Sequence, residues 1–305
     1  MSPIRQFELR LPGYRVGLGG DERAFDITLA CRGAGEGRVR VMLLHGFPEA
    51  AFVWDEVMER LAPRAACVAP NLRGFAGSTS PADAAAYKAR HVVGDVAAAI
   101  ESLGAPLDLL VAHDWGGALA WNLAAQRPDL MKRLLIINSP HPATFLRELR
   151  HSPAQQAASD YMTFLCRPDA EALLAEDDFR RLWPFFGHSP AWLTPAVREQ
   201  YRQAWRNEGR GLTGGLNYYR ASPLRPALGT DDLLHTLELP DDAVTSRVPT
   251  TVLWGEQDHA LLPGLLDGLE RWVPQLTLHR VPTGSHWLVH EQPGLVTEHI
   301  AALLD

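Results

Sequence analysis

The chain has 305 residues, of which 46% are hydrophobic and 21% are charged, a composition that suits one large core with or without an inserted subdomain. The formal net charge is −7 and the 29 lysines and arginines are scattered along the sequence, so we expect no nucleic-acid partner. No stretch reaches the ~18 apolar residues of a membrane span and the N-terminus lacks an apolar signal core, so we expect a cytoplasmic protein that does not bind membranes.

The three cysteines suggest neither a structural cross-link nor a metal site. Cys31, Cys67 and Cys166 lie far apart in the sequence, a spacing that matches neither a disulfide framework nor a zinc site. This spacing favours a reducing compartment, and we expect neither a metal nor a cofactor.

Apolar segments alternate with helical patterns in the first half of the chain, which predicts βαβ units on a parallel sheet. Two N-terminal segments, residues 7–11 and 25–30, are predicted to be antiparallel edge strands. The other predicted elements are strands at residues 39–44, 66–69, 107–112, 134–137, 251–254 and 276–281, and helices at residues 53–61 and 91–103.

The character of the sequence changes between residues 141 and 239. This segment is rich in arginine, proline and tryptophan and has helical periodicity. We interpret residues 141–239 as a helical cap inserted into a core domain formed by residues 1–140 and 240–305. The cap is expected to cover the carboxyl ends of the strands, where open α/β sheets bind their ligands.

The stretch HDWGG, residues 113–117, predicts a tight turn from a buried strand into a helix. Such a turn strains its central residue and needs small neighbours, which Ala112, Gly116 and Gly117 provide. The helix that starts near Trp115 adds a positive dipole end, so the turn is expected to expose an ionised Asp114 carboxylate. Asp114 could instead merely cap the helix, but a cap does not require three small neighbours. We therefore interpret Asp114 as a nucleophile.

A nucleophile on this kind of turn is followed along the chain by an acid and then by a histidine. The strand at residues 251–254 leads into Asp258, and the next strand leads into His286 on a Gly-Ser loop. Asp258 is favoured over Glu256 because it lies past the strand end, although Glu256 remains an alternative. His259 and His290 lie close to these positions and could be confused with them.

An oxyanion hole in this arrangement uses two backbone N–H groups. One comes from the residue after the nucleophile, here Trp115. The other comes from the loop after an earlier strand, where HGFP (residues 45–48) supplies the Phe47 N–H.

An aspartate nucleophile indicates attack on a saturated carbon. Serine would form an inert ether there, whereas aspartate forms an alkyl ester that water, activated by His286, can hydrolyse. Epoxides and alkyl halides are the main substrates of this kind. An epoxide oxygen leaves as a basic alkoxide and needs a proton donor such as tyrosine, whereas a halide needs only weak donors such as indole N–H groups.

These motifs resemble those of the aspartate-nucleophile branch of the α/β-hydrolase fold, and most closely its epoxide hydrolases. The matching stretches are HGFPE (45–49), PNLRGFAGS (70–78), HDWGG (113–117), WGEQD (254–258) and GSHW (284–287). The resemblance implies an α/β fold with a mostly parallel eight-stranded sheet, flanked by helices and carrying an inserted helical cap. It also implies a cis peptide bond before Pro48.

The resemblance also assigns a pair of ring-opening tyrosines to the cap. Tyr161 follows Ser159-Asp160, and Tyr219 lies in the stretch 217–220, at the two places where epoxide hydrolases carry them. Tyr218 is the adjacent alternative to Tyr219. Both hydroxyls are expected to point at the Asp114 carboxylate.

The sequence therefore predicts an enzyme that opens an epoxide to a vicinal diol through an alkyl ester on Asp114, which water activated by His286 and Asp258 then hydrolyses. The expected partner is a small apolar epoxide-type substrate, and the protein is expected to be a monomer or a homodimer. One alternative is a haloalkane or haloacetate dehalogenase, although these families typically place asparagine where Phe47 stands or arginine where Trp115 stands. A non-catalytic ligand-binding protein of the same fold is the other alternative.

Overall fold

A computed structural model describes residues 4–18, 21–188, 190–206, 211–228 and 233–305, with only the backbone at residues 12–18 and 21–25. Eight strands form one sheet in the order β1-β2-β4-β3-β5-β6-β7-β8. The β1–β2 and β2–β4 pairs are antiparallel, and the other pairs are parallel. The predicted fold class is confirmed. The strands are β1 (Arg5–Leu18), β2 (Asp21–Ala34), β3 (Val39–Leu44), β4 (Ala66–Pro70), β5 (Leu109–His113), β6 (Leu134–Ile137), β7 (Thr250–Gly255) and β8 (Leu276–Val281).

The N-terminal hairpin differs from the prediction in two respects. Both strands are longer than predicted, and β2 is not an edge strand because it pairs with β1 on one side and with β4 on the other. The alternation of buried and half-exposed side chains along residues 27–32 reports which face of β2 meets the core. It carries no information about which strand edges are paired, and this is why the prediction was wrong.

The central strands β4, β5, β6 and β7 are buried on both faces, as their largely apolar sequences predict. Every residue of β4, β5, β6 and β7 is buried, and helices cover the sheet. Among the described residues, no helix is long and apolar enough to cross a membrane. The helices that flank the sheet are α1 (Asp55–Leu61), α2 (Ala89–Ser102), α3 (Asp114–Gln126), α12 (Leu288–Glu291) and α13 (Pro293–Leu304).

The chain between β6 and β7, which we call the inserted segment (residues 138–249), consists of helices and connecting loops where the structure describes it. It packs on loops that follow the core strands: Trp205 Nε1 donates to the Pro48 carbonyl at 2.7 Å, and Trp287 Nε1 donates to the Phe185 carbonyl at 2.9 Å. The described helices of this segment are α4 (Pro142–His151), α5 (Pro153–Ala158), α6 (Tyr161–Leu165), α7 (Ala170–Phe179), α8 (Pro195–Arg206), α9 (Gly211–Ala221), α10 (Leu233–Thr236) and α11 (Asp241–Val244).

Candidate active site

Asp114 stands at the turn where β5 passes directly into α3, and its backbone has φ 50°. A left-handed conformation is uncommon for a residue with a side chain, so surrounding contacts must hold it. The Ser139 hydroxyl donates to the Asp114 carbonyl at 2.7 Å. A Cβ at Gly116 would lie 2.7 Å from the His45 carbonyl oxygen, and one at Gly117 would overlap Ser139. The small neighbours predicted for this turn are therefore required by the packing.

The two oxygen atoms of the Asp114 carboxylate have different neighbours. Oδ1 accepts a hydrogen bond of 2.7 Å from the Phe47 backbone N–H, and Oδ2 lies 3.8 Å from His286 Nε2. The Phe47–Pro48 peptide bond is cis, as predicted. A backbone N–H contact from Trp115 to this carboxylate stays a prediction.

His286 and Asp258 form a close pair beside Asp114. His286 Nδ1 lies 2.7 Å from Asp258 Oδ2, which leaves Nε2 facing Asp114. Burial alone would lower the pKa of His286, but the negative charge of Asp258, its hydrogen bond and the charge of Asp114 together raise that pKa to about 9. The alternative acid, Glu256, turns outward and pairs with Arg280 at 3.2 Å.

Asp258 is fully enclosed, and its carboxylate accepts several hydrogen bonds in addition to that of His286. The Ala260 and Leu261 N–H groups donate to Oδ1 at 2.9 Å each, and Asn138 Nδ2 donates to Oδ2 at 2.9 Å. Burial would raise the pKa of Asp258, but the charge and hydrogen bond of His286 outweigh it and lower that pKa. Asn138 directly follows β6, and no sequence motif marks it as a partner of the acid. Its amide is the group that joins β6 to the acid loop.

Tyr161 on α6 and Tyr219 on α9 meet above Asp114. The two rings lie edge to face with their centroids 6.2 Å apart, and the Tyr219 ring lies edge to face against the Trp115 ring at 5.0 Å. Burial is the main cause that raises the pKa of both phenols above the ordinary value, and the nearby Asp114 charge adds to it, so both stay protonated. The alternative, Tyr218, points away and donates to the Arg73 carbonyl at 3.1 Å.

A buried polar cluster lies behind His286, and sequence reasoning missed it. Glu49 lies 3.0 Å from His113 Nδ1, 3.0 Å from the Tyr201 hydroxyl and 2.9 Å from His290 Nε2. His113 Nε2 in turn donates to the His286 carbonyl at 2.8 Å. Burial would raise the pKa of Glu49, but its histidine partners outweigh burial and lower that pKa. The cluster therefore holds the backbone of His286 and joins it to α8.

A cavity with two lobes surrounds these groups. Asp114, Tyr161 and Tyr219 line both lobes, so the carboxylate and the paired hydroxyls stand where the lobes meet. The larger lobe has a volume of about 580 Å³ and includes His286, and the smaller has a volume of about 70 Å³. In the part of the chain that the structure describes, no group of three or more His, Cys, Asp or Glu side chains is placed to hold a metal ion.

Comparison with known proteins gives one consistent family. The model of the alpha/beta hydrolase fold family matches residues 39–293. The chain is 33% identical over 283 residues to the AB hydrolase superfamily protein YfhM of Bacillus subtilis, covering 91% of this chain and 94% of that protein. It is 32% identical over 281 residues to epoxide hydrolase 4 of Mus musculus, covering 89% of this chain and 74% of that protein.

Solved structures give the same result. The crystal structure of Bacillus megaterium epoxide hydrolase in complex with an inhibitor superimposes with a TM-score of 0.81 at 30% identity, covering 95% of this chain and 99% of that one. A structure described as a novel epoxide hydrolase from metagenomes of hot environments superimposes with a TM-score of 0.78 at 32% identity, covering 96% of this chain and 98% of that one.

Proposed function

Because this chain belongs to the α/β-hydrolase fold family and is a hydrolase of the epoxide hydrolase type, we propose that it opens an epoxide to a vicinal diol through a covalent ester on Asp114. The observation that carries the proposal is the pairing of the Asp114 carboxylate with two protonated phenols at the junction of the cavity lobes. A carboxylate alone suits any leaving group, but a basic alkoxide requires proton donors.

In the first step, Asp114 Oδ2 attacks an epoxide carbon. Oδ1 is held by the Phe47 N–H, so Oδ2 is the oxygen left to attack. The carbon–oxygen bond of the ring breaks, and its electron pair stays on the oxygen, which Tyr161 and Tyr219 hydrogen-bond and one of them protonates. The products of this step are an alkyl ester and a new hydroxyl group.

In the second step, water attacks the ester carbonyl carbon. His286 Nε2 faces Asp114 and removes a proton from that water, while Asp258 holds the opposite ring nitrogen. Negative charge then develops on Oδ1, where the Phe47 N–H already donates a hydrogen bond and where the Trp115 N–H is predicted to donate another. Collapse of this intermediate breaks the bond between the carbonyl carbon and the ester oxygen, and the departing alkoxide takes the remaining proton of the added water, which releases the diol and restores the carboxylate. The proton held by His286 then returns to the tyrosinate left by the first step.

The charge on Asp114 coordinates the two steps. In the free enzyme the Asp114 and Asp258 carboxylates raise the pKa of His286 to about 9, so the imidazole is protonated at neutral pH and cannot yet accept a proton. Ester formation removes the negative charge of Asp114. The pKa of His286 then falls, and the base becomes active once there is an ester to hydrolyse.

This argument predicts the pH dependence of ester breakdown. The first-order rate of alkyl-enzyme hydrolysis should rise with pH, since only neutral His286 accepts a proton, and its apparent pKa should lie below 9 because the ester carries no charge. Rapid-mixing measurements with a chromogenic epoxide between pH 5 and 10 give this rate. A rate that falls across this range, or an apparent pKa above 9, contradicts the assignment of the base.

Gly46 gives a local test of the nucleophile. A Cβ at this position would overlap Asp114 Oδ1, so Gly46→Ala must displace the carboxylate from the Phe47 N–H. We expect kcat/KM to fall about 100-fold, since a displacement near 1 Å costs about that much. The matched control is Gly294→Ala, where a Cβ meets nothing within 4 Å. Equal activity of the two variants contradicts this placement of Asp114.

We also propose that residues 141–239 act as a cap over a core formed by residues 1–140 and 240–305. In support, Tyr161 and Tyr219 lie on helices of the inserted segment, whereas Asp114, Asp258 and His286 follow core strands. The proton donors and the nucleophile would then come from opposite sides of the substrate.

One panel of substrates tests the proposed function. A single preparation is assayed with epoxides, haloalkanes, haloacetates and p-nitrophenyl esters, with release of diol, halide or nitrophenol as the readout. We expect turnover of epoxides and little turnover of the others. Halide release without diol formation favours a dehalogenase, and the absence of any turnover favours the ligand-binding alternative.

A further inference from the structure

The two lobes differ in the exposure of the residues that line them. The larger, which we call the outer lobe, includes exposed residues at its rim, such as His188, Gln257 and His259. The smaller, which we call the inner lobe, is lined only by buried or half-buried residues among those described. An epoxide held at the junction, with one substituent on each carbon, can therefore place one substituent in the outer lobe and the other in the inner lobe.

The inner lobe is mostly apolar, with two polar side chains set apart from the reacting groups. Ser139, although also in the lining, already donates to the Asp114 carbonyl. The remaining polar groups away from the junction are Asn122 on α3 and Ser222 just after α9. The rest of the lining is mainly apolar and includes Phe145, Met162, Leu224 and Leu261.

Asn122 and Ser222 both retain hydrogen-bonding capacity. Asn122 Nδ2 donates to the Ala118 carbonyl at 2.8 Å, which fixes the orientation of the amide, and Oδ1 accepts no hydrogen bond from the residues that the structure describes. The Ser222 hydroxyl accepts from the Leu224 N–H at 3.1 Å and donates to no described residue. The lobe thus offers one amide acceptor and one hydroxyl donor.

A purely apolar substituent would cover these groups without satisfying them, which is unfavourable. A hydroxyl can donate to the Asn122 oxygen and accept from the Ser222 hydroxyl at once. Mostly apolar pockets with a few placed polar groups are the common form of a selective small-molecule site.

The position of Asn122 indicates how long the substituent is. Asn122 lies eight residues after Asp114 on the same helix, about 12 Å along its axis, and its side chain leans back toward the N-terminus. The backward lean of the side chain shortens this separation, and a linker of roughly four carbons between the epoxide and the polar atom of the substrate spans what is left. A linker of this kind extends by about 1.3 Å per bond.

We propose that Asn122 and Ser222 are specificity-determining residues, and that the inner lobe selects an epoxide substituent of about four carbons ending in a hydroxyl group. This inference rests on the proposed function, because the substituent is placed relative to an epoxide bound at Asp114. Neither side chain takes part in the ring opening or in ester hydrolysis.

The test uses two isosteric substrates that differ in one group. Trans-6-phenyl-5,6-epoxyhexan-1-ol and trans-1-phenyl-1,2-epoxyheptane both carry a phenyl group, which the outer lobe can accommodate, and they differ only in a terminal hydroxyl or methyl. We expect the wild-type kcat/KM to favour the alcohol by about tenfold or more. Asn122→Leu should remove most of this preference by lowering kcat/KM for the alcohol, and Ser222→Ala should reduce it.

The ratio of the two kcat/KM values, measured on one preparation, does not depend on the folded fraction, so a loss of stability from the Ala118 contact does not affect it. Ser102→Ala is the matched control, because Ser102 bonds only its own helix at the Ala99 carbonyl and is remote from the cavity. Ratios unchanged in both cavity variants, with both substrates still hydrolysed, overturn this inference alone. If wild type hydrolyses neither substrate nor any other epoxide, the proposed function itself fails.

Discussion

Replacing His286 with glutamine should stop the reaction after ester formation. Asp114 retains its Phe47 N–H donor and both tyrosines, so the epoxide still alkylates it, but no base remains to activate water. We expect steady-state turnover to fall by about 10³-fold, within the usual range for loss of a general base. Intact-protein mass spectrometry should show the added mass of one substrate, and peptide mapping should place it on Asp114.

Asp114→Ala is the control for that experiment. It removes the nucleophile while His286 and Asp258 keep their own pairing, so neither an adduct nor turnover is expected. An adduct on another residue of His286→Gln, or turnover by that variant at the wild-type rate, would contradict the assigned roles.

Removing both ring-opening hydroxyls should block the first step instead. In the double variant Tyr161→Phe and Tyr219→Phe, the alkoxide leaving group has no proton donor, while Asp114 and His286 are unchanged. We expect each single variant to slow alkylation by about 10²-fold and the double variant to lower it further, toward the limit of detection. Single-turnover burst measurements separate this step from ester hydrolysis.

Tyr218→Phe is the matched control for the tyrosine variants. It removes a phenol hydroxyl from the same helix, but that hydroxyl donates to the Arg73 carbonyl and not into the cavity. Its alkylation rate should stay near the wild-type value. If Tyr218→Phe slows alkylation as much as Tyr219→Phe does, the assignment of Tyr219 is wrong.

The parts of the fold that could be predicted from sequence are those set by local pattern. The apolar run at residues 134–137 is the whole of β6, and HDWGG marks the turn at Asp114, because both signals lie within a few consecutive residues. Asp114, Asp258 and His286 each follow a predicted strand, and the carboxyl ends of parallel strands meet at one edge of the sheet. Position past the strand end favours Asp258 over Glu256 without excluding Glu256, and the structure distinguishes the two acids by their partners, since Asp258 pairs with His286 and Glu256 pairs with Arg280.

The parts that could not be predicted depend on contacts between distant residues. Glu49, His113, Tyr201 and His290 come from four separate places in the chain, and none of them carries a local pattern that marks it as a partner of the others. The positions of Tyr161 and Tyr219 came from a family resemblance, because helical periodicity reports a buried face and not the direction of a hydroxyl. The two lobes likewise could not be predicted from the sequence, since this cavity is defined by the packing of the inserted segment on the core.

The central claim is that the oxygen added to the first product comes from Asp114, and labelled water tests it directly. Enzyme in excess of an epoxide substrate is allowed one turnover in ¹⁸O-labelled water, and the diol and the peptide containing Asp114 are analysed by mass spectrometry. The covalent route predicts an unlabelled first diol and ¹⁸O in the Asp114 carboxylate, because water attacks the ester carbonyl carbon and not the substrate. Label in the first diol, with none in the enzyme, would mean that water opens the ring directly and would contradict the covalent mechanism.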